Sequence, residues 1–309
     1  MRLVYLGTPA FAVPTLERIA AAGHRVLAVV TQPDRPKGRG RETAASPVKL
    51  AALALGLPVY QPERVRRPEA VAFLASLAVD AMVIVGYGQI IPQSVIDLAP
   101  LGIINVHASL LPRYRGAAPI QWAIVNGEAV TGVTTMRIDA GLDTGGMLLK
   151  AATPIGPDET AVELAARLAP MGADLLIETL DGLAAGTLRP EPQDPAQATL
   201  APILKKEDGL LDFQLPAAAI HNRVRGFQPW PGACARFRGQ SLHVWKSRLA
   251  EQAPAVPPGC LLRRRGLWAG CGEGTALELT EVQLEGRKRV PAADFANGLR
   301  LPENEPISL

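Results

Sequence analysis

GIINVHASLLPRYRGAAPIQ, residues 102–121, is the stretch on which the reading of the fold turns. Its opening, Gly102-Ile-Ile-Asn-Val106, does not alternate apolar with polar as a half-exposed strand would. A strand that is apolar on both faces is covered on both faces, the condition of a parallel sheet wound with helices. The same pattern recurs upstream in Arg2-Leu-Val-Tyr-Leu-Gly7, Arg25-Val-Leu-Ala-Val-Val30, the short Val59-Tyr60 and Ala81-Met-Val-Ile-Val85. Helical spacings fill residues 11–22, stopped by Gly23, and residues 44–55; further ones follow over 118–125 and 160–183. The expectation is an α/β, Rossmann-like parallel-sheet domain over residues 1–189.

The composition then shifts. Gly186 to Pro195 carries three prolines in ten residues, so residues 190–205 read as a Pro-rich, extended linker. From residue 206 the pattern is a helix near 217–224 and stretches of partial alternation. These are Ala233-Cys-Ala-Arg-Phe-Arg238, Ser241-Leu-His-Val-Trp-Lys246 and Ala276-Leu-Glu-Leu-Thr-Glu-Val282. Gly- and Pro-rich turns separate them. This predicts a small antiparallel β-barrel, OB-like, over residues 206–309.

The chain has 309 residues, 48% of them apolar, which is enough for two cores. No apolar run approaches the roughly 18 residues of a membrane span. The start enters a strand pattern at once and lacks the features of a signal peptide, so a cytoplasmic protein is expected. The three cysteines, Cys234, Cys260 and Cys271, show no C-x-x-C spacing and read as reduced thiols with no metal site. Residues 206–309 hold 14 Lys and Arg against 11 Asp and Glu, while residues 1–205 hold 18 of each, so the whole net charge of +3 lies in the C-terminal third. That excess suits a polyanionic partner, and a solvated basic face would look the same.

In an open parallel sheet, ligands bind beyond the carboxyl ends of the strands. Gly7-Thr8-Pro9, Gly86-Tyr87-Gly88 and Asn105-Val-His107 occupy such ends, and a polar cluster from Arg137 to Gly145 follows the apolar stretch 132–136. Pro9 stands where a dinucleotide loop would want glycine, which disfavours nucleotide binding at the first strand. Asn105 and His107, two apart on an extended chain, share a face. Asn offers amide donors, and His can donate, accept or carry charge near neutral pH. Asp143 would orient or charge the imidazole if the fold brings it near. No Ser or Cys sits in a nucleophile elbow, so direct acyl transfer between two bound substrates suits the set better than a covalent intermediate. Asn105 and protonated His107 would then be the oxyanion donors. The same residues would also serve merely to end a strand. Arg35, Lys37, Arg39 and Arg41 make a basic loop after the second strand, attractive to phosphates. The triplets Arg263–Arg265 and Arg287–Arg289 are further candidates for an RNA backbone, and Trp230 reads as packing rather than a stacking platform.

These residues carry a resemblance. Gly7-Thr-Pro-Ala-Phe-Ala12, Thr31-Gln-Pro-Asp-Arg-Pro-Lys-Gly-Arg-Gly40, Ser46-Pro-Val-Lys49, Val85-Gly-Tyr-Gly88, Asn105 to Gln121, Gly141-Leu-Asp-Thr-Gly145 and Phe227-Gln-Pro-Trp-Pro231 together resemble the folate-dependent formyltransferases. The loop at 31–40 and the appended barrel narrow the likeness to the members that act on methionyl-tRNA. The resemblance implies transfer of the formyl group of 10-formyltetrahydrofolate to the α-amino group of methionyl initiator tRNA, for translation initiation. It implies Asn105, His107 and Asp143 as the catalytic trio. Ser109, Leu110, Leu111 and Pro112, with Gly86, Tyr87 and Gly88, would bind the reduced folate. The loop of Arg35, Lys37, Arg39 and Arg41 would face the tRNA. No metal, no membrane and a monomer are expected. Tyr114 stands where a Trp is common, and Gly146 where an acidic residue or Pro can follow.

Overall fold

The first strands and helices of the chain alternate, beginning with a strand that is buried from its second residue to its last. A computed structural model describes residues 1–37, 42–299, 301 and 304–308. Strand β1 (Arg2–Gly7) leads to helix α1 (Val13–Ala21), which ends ahead of Gly23 in left-handed conformation (φ 78°). Then come β2 (Arg25–Val30), the short β3 (Arg35–Lys37) and β4 (Glu42–Ala44), and α2 (Pro47–Ala54). Ser46 caps α2, its hydroxyl accepting from the Lys49 N–H at 3.0 Å. Next are β5 (Val59–Tyr60), α3 (Pro68–Ser76), β6 (Ala81–Val85), α4 (Gln93–Ile96), β7 (Ile103–His107), α5 (Pro119–Val125), β8 (Val130–Arg137), β9 (Met147–Pro154) and α6 (Ala161–Ala184).

The sheet runs β5-β2-β1-β6-β7-β8-β9. Its first five strands pair in parallel, as the unbroken apolar runs predict, and β6 and β7 are buried at every residue. β8 pairs antiparallel with β7. A parallel neighbour needs a crossover laid on a sheet face. The intervening helix α5 groups instead with the second unit, and β8 returns antiparallel. Val4, Leu6, Val30, Met82, Ile84 and Ile103 form the core on one face, with Tyr87 buried among them.

The chain divides into two units that interleave along the sequence. The first holds Met1–Gly116, Thr131–Thr153 and Ala165–Leu200; the second holds Ala117–Val130, Pro154–Leu164 and Ala201–Leu309. Boundaries drawn at 189 and 206 from composition therefore differ from the compact units. Ala118, Leu204 and Phe227 are buried together, with Trp122 edge-on to Phe227 at 5.7 Å between ring centroids. That packing, invisible to a linear reading, draws α5 into the second unit.

The second unit adds α7 (Ala217–Gly226), β10 (Ala233–Phe237), β11 (Gln240–Arg248), β12 (Cys260–Arg263), β13 (Leu267–Gly270), β14 (Ala276–Leu284), β15 (Val290–Pro291), α8 (Ala292–Leu299) and β16 (Glu305–Pro306). Its antiparallel sheet runs β10-β11-β14-β13-β12-β16, with β15 on β14. A bridge between Arg236 of β10 and Ser308, just past β16, joins the two edges and closes the sheet on itself. Leu211, Ile220, Phe237, Leu242, Leu277 and Ile307 fill the interior. Trp230 departs from its expected packing role: it is 52% exposed, and the buried ring of that motif is Phe227. Among the described residues, no helix is long and apolar enough to cross a membrane.

Candidate active site

β7 ends in the centre of the first unit's sheet, and its period of two sets Asn105 and His107 on one face. Both are buried. The loop after β8 brings Asp143 to them. Asn105 Nδ2 lies 3.5 Å from Asp143 Oδ1, and His107 Nδ1 lies 3.7 Å from Asp143 Oδ2. The Gly116 N–H donates to the same Oδ2 at 2.8 Å. The structure therefore assembles the three residues around one carboxylate, 38 residues from Asn105 in sequence.

The imidazole is held at both ends. His107 Nε2 lies 2.9 Å from the Tyr114 carbonyl, which can only accept, so Nε2 carries a proton. A proton on Nδ1 is what makes the contact with Asp143 attractive. Both ring nitrogens thus face protein groups. Asn105 and His107 are both expected as oxyanion donors; here the His107 ring faces the Tyr114 carbonyl and the Asp143 carboxylate.

Asp143 sits in left-handed backbone (φ 52°), as does Tyr114 (φ 61°), a conformation that costs a side-chain-bearing residue on the order of 1 kcal/mol or more. The turn that carries Asp143 needs Gly145, where an added Cβ would stand 1.8 Å from the Arg137 carbonyl oxygen. Gly146 packs on Pro190, an added Cβ there falling 2.7 Å from the proline Cβ, so a larger residue would push away the segment that follows α6.

The residues expected at the folate are placed at the same sheet edge, but most turn their side chains inward. Ser109 is fully buried, its hydroxyl donating to the Arg113 carbonyl at 2.6 Å. Thr134 on β8 accepts from the Leu111 N–H at 3.1 Å and donates to the Ser109 carbonyl at 2.7 Å. Leu111 and Pro112 are buried, and Leu110 is half-buried. Tyr87 lies in the core, where burial pushes its phenol up to about 12. Its carbonyl accepts from Thr8 Oγ1 and Gln32 Nε2, both at 3.0 Å, between Gly86 (φ 56°) and Gly88 (φ 84°). These residues shape two loops and offer backbone, not side chains, to a ligand. Exposed apolar side chains on the neighbouring turns, Ile90 and Leu142, supply surface that the sequence did not flag.

The basic loop begins and ends as a two-stranded hairpin, with Arg35 opposite Ala44 and Lys37 opposite Glu42. Arg35 is exposed, and Arg39 and Arg41 lie outside the described residues. At its base Asp34 pairs with Lys49 and accepts from Gln61 Nε2 at 2.8 Å, contacts that hold its carboxyl below the usual range. Among the described residues, no group of three His, Cys, Asp or Glu is placed to hold a metal ion.

The chain is similar to known proteins along most of its length. It matches the family described as Formyl transferase over residues 1–180, and the one described as Formyl transferase, C-terminal domain, over residues 203–300. The chain belongs to the formyltransferase family. It is 73% identical over 307 residues to the methionyl-tRNA formyltransferase of Solibacter usitatus, covering 99% of this chain and 98% of that protein. Among solved structures it resembles an N-formyltransferase from Helicobacter canadensis in complex with folinic acid and dTDP-3-aminofucose (TM-score 0.68, 18% identity, 90% of this chain and 98% of that one). It also resembles HypX from Aquifex aeolicus in complex with tetrahydrofolic acid (TM-score 0.66, 17% identity, 99% of this chain). The chain spans 48% of the length of HypX. At these identities the two structures speak to the formyltransferase fold alone.

Proposed function

We propose that this formyltransferase carries the formyl group of 10-formyltetrahydrofolate to the α-amino group of methionyl initiator tRNA. Its product would be the formylmethionyl-tRNA used in translation initiation. The observation that carries the reading is the convergence of Asn105, His107 and Asp143 at the carboxyl end of β7.

The residues present fit a reduced folate. A flat ring with polar edges and apolar faces needs backbone donors and acceptors beside apolar side chains. The loops at 86–88 and 109–112 offer the first, and Ile90 and Leu142 the second. The bound folate supplies a formyl carbonyl and leaves as tetrahydrofolate once the amine has taken that group.

Asn105 Nδ2 has one hydrogen toward Asp143 and another to donate to the oxygen on which negative charge builds. In a site closed to water such a donor is worth far more than in solution. His107 is oriented at the end of β7 by the Tyr114 carbonyl at Nε2 and the Asp143 carboxylate near Nδ1. The Asp143 carboxylate either orients His107 or takes, through water, the proton that the attacking amine must lose. Arg35, Lys37, Arg39 and Arg41 would hold phosphates of the acceptor end. We place the protein in the cytoplasm as a monomer.

The deciding experiment offers 10-formyltetrahydrofolate with methionyl initiator tRNA, methionyl elongator tRNA or free methionine as separate acceptors. Formyl-methionine on the initiator tRNA alone is the expected result. Loss of the donor without a tRNA product would overturn the substrate and point to an amino sugar, another small amine or water. If Asn105→Ala and His107→Ala both keep near-normal turnover, the assignment of the trio fails.

A further inference from the structure

Residues 190–200, a linker by composition, run as a strap along both loops that hold the candidate site. Glu191 and Met147 form an antiparallel bridge, their N–H groups and carbonyls exchanging bonds of 2.7 and 2.8 Å. Gln193 follows, 9% exposed and saturated with hydrogen bonds. Its Nε2 donates to the carbonyls of Asp143 and Gly145, each at 2.8 Å. Its Oε1 accepts from Arg115 Nε at 3.0 Å and Nη2 at 2.8 Å. Farther along, Thr199 Oγ1 accepts from the Tyr114 N–H at 2.9 Å, and the Thr199 carbonyl accepts from the Arg115 N–H at 2.9 Å.

The strap grips two particular residues. Asp143 and Tyr114 are both held in left-handed backbone, and both contact His107, one at Nδ1 and the other at Nε2. Strained conformations of this kind persist where the surroundings over-determine them. Here Gln193 fixes the backbone of the first and Thr199 that of the second. Only a carboxamide of this length can donate to two carbonyls and accept from a guanidinium at once. Arg115 completes a ring, since the next residue, Gly116, donates to the Asp143 carboxylate.

We propose that Gln193 is a positioning residue for formyl transfer, acting through the Asp143 loop, with Thr199 in the matching role at Tyr114. The proposal rests on the site assigned above. Gln193→Glu keeps the acceptor for Arg115 and removes both donors; Gln193→Met removes donors and acceptor. In the full chain both substitutions lower kcat by about 10-fold to 100-fold, the cost of a slightly misplaced group. KM for folate and for tRNA stays within about two-fold, as befits a residue that touches neither substrate. Thr199→Val falls similarly, and Thr199→Ser, which keeps the hydroxyl, retains wild-type kcat. The 15N signals of the His107 ring shift in Gln193→Glu, a readout independent of turnover. Near-normal kcat in Gln193→Glu would overturn the proposal and leave Gln193 as an anchor for Arg115 alone. So would a rise in KM at constant kcat, or unmoved ring signals. If the wild-type chain formylates no tRNA, the functional reading fails, while the His107 signals still decide the positioning role.

Discussion

Asn105 ends β7 with its amide at the Asp143 carboxylate, in a site where few groups can donate to a developing oxyanion. Replacing it with Ala removes that donor and little packing. We expect kcat to fall about 100-fold to 1,000-fold, or about 2.7–4 kcal/mol of transition-state stabilisation, with folate affinity within a few-fold. Steady-state kinetics with a separate folate titration checks both. Asp143→Asn is subtler. Its carboxylate oxygens face Gly116 N–H, His107 Nδ1 and the Asn105 amide, all donors when the histidine is protonated. An amide must turn an N–H toward one of them. We expect a loss of similar or greater size without loss of fold, read as kcat against an unchanged urea midpoint. At this scale the sequence was legible where spacing is short. Asn105 and His107 declare a shared face by their period of two, whereas Asp143 is tied to them only through the family motif. Gln193 was hidden because a glutamine among prolines reads as linker, and nothing local shows that four hydrogen bonds await it.

Helix α7 illustrates how an element is tied down by one side chain. His221, 3% exposed, meets Ser247 Oγ on β11 at 2.9 Å through Nδ1, and the Pro157 carbonyl at 3.2 Å through Nε2. With Nε2 protonated and Nδ1 accepting from the hydroxyl, the neutral ring is fully paired. Burial lowers its pKa from the ordinary 6.5, with Arg225 adding to the effect; the Pro157 bond and Asp158 work the other way. The folded state therefore resists protonation that the unfolded chain accepts. Stability from this group is present above about pH 6.5 and is lost as pH falls toward the lowered folded value. Urea denaturation from about pH 7.5 down to about pH 5 should show this as a falling midpoint. His221→Gln should be less stable than wild type at the upper end, with the gap narrowing as the pH drops. A constant gap would mean that His221 does not titrate in this window. α7 itself was foreseen from its apolar spacing. Its partners in the segment before α6 were not, because they lie more than 60 residues away.

For the molecule as a whole, the even charge of the first 205 residues and the basic excess beyond are features of sequence, but which cations stand free is a matter of structure. Arg289 pairs with Glu281 and lies over the Trp245 ring at 4.9 Å, so it serves the barrel. Arg248 bonds Glu278 and Arg238 bonds Glu305. Arg263 ends β12, and Arg264 and Arg265 occupy the exposed turn that follows, where Arg265 adopts φ 49°. A two-domain reading could place these triplets in the barrel; it could not tell a paired arginine from a free one, because pairing depends on strand register. If the turn meets tRNA phosphates, each contact releases counterions, and log K falls with log salt by about 0.7–0.9 per contact. Replacing all three arginines with Ser should then flatten the salt dependence of tRNA binding by roughly one to three contacts' worth. Turnover at saturating tRNA should persist, since the trio lies in the other unit. Binding isotherms over about 50–200 mM salt measure the slope. An unchanged slope would make the turn a solvated surface and move the RNA footprint to the hairpin of Arg35 and Lys37. Substituting Arg289 instead should lower the denaturation midpoint, because it removes an ion pair and a ring contact together.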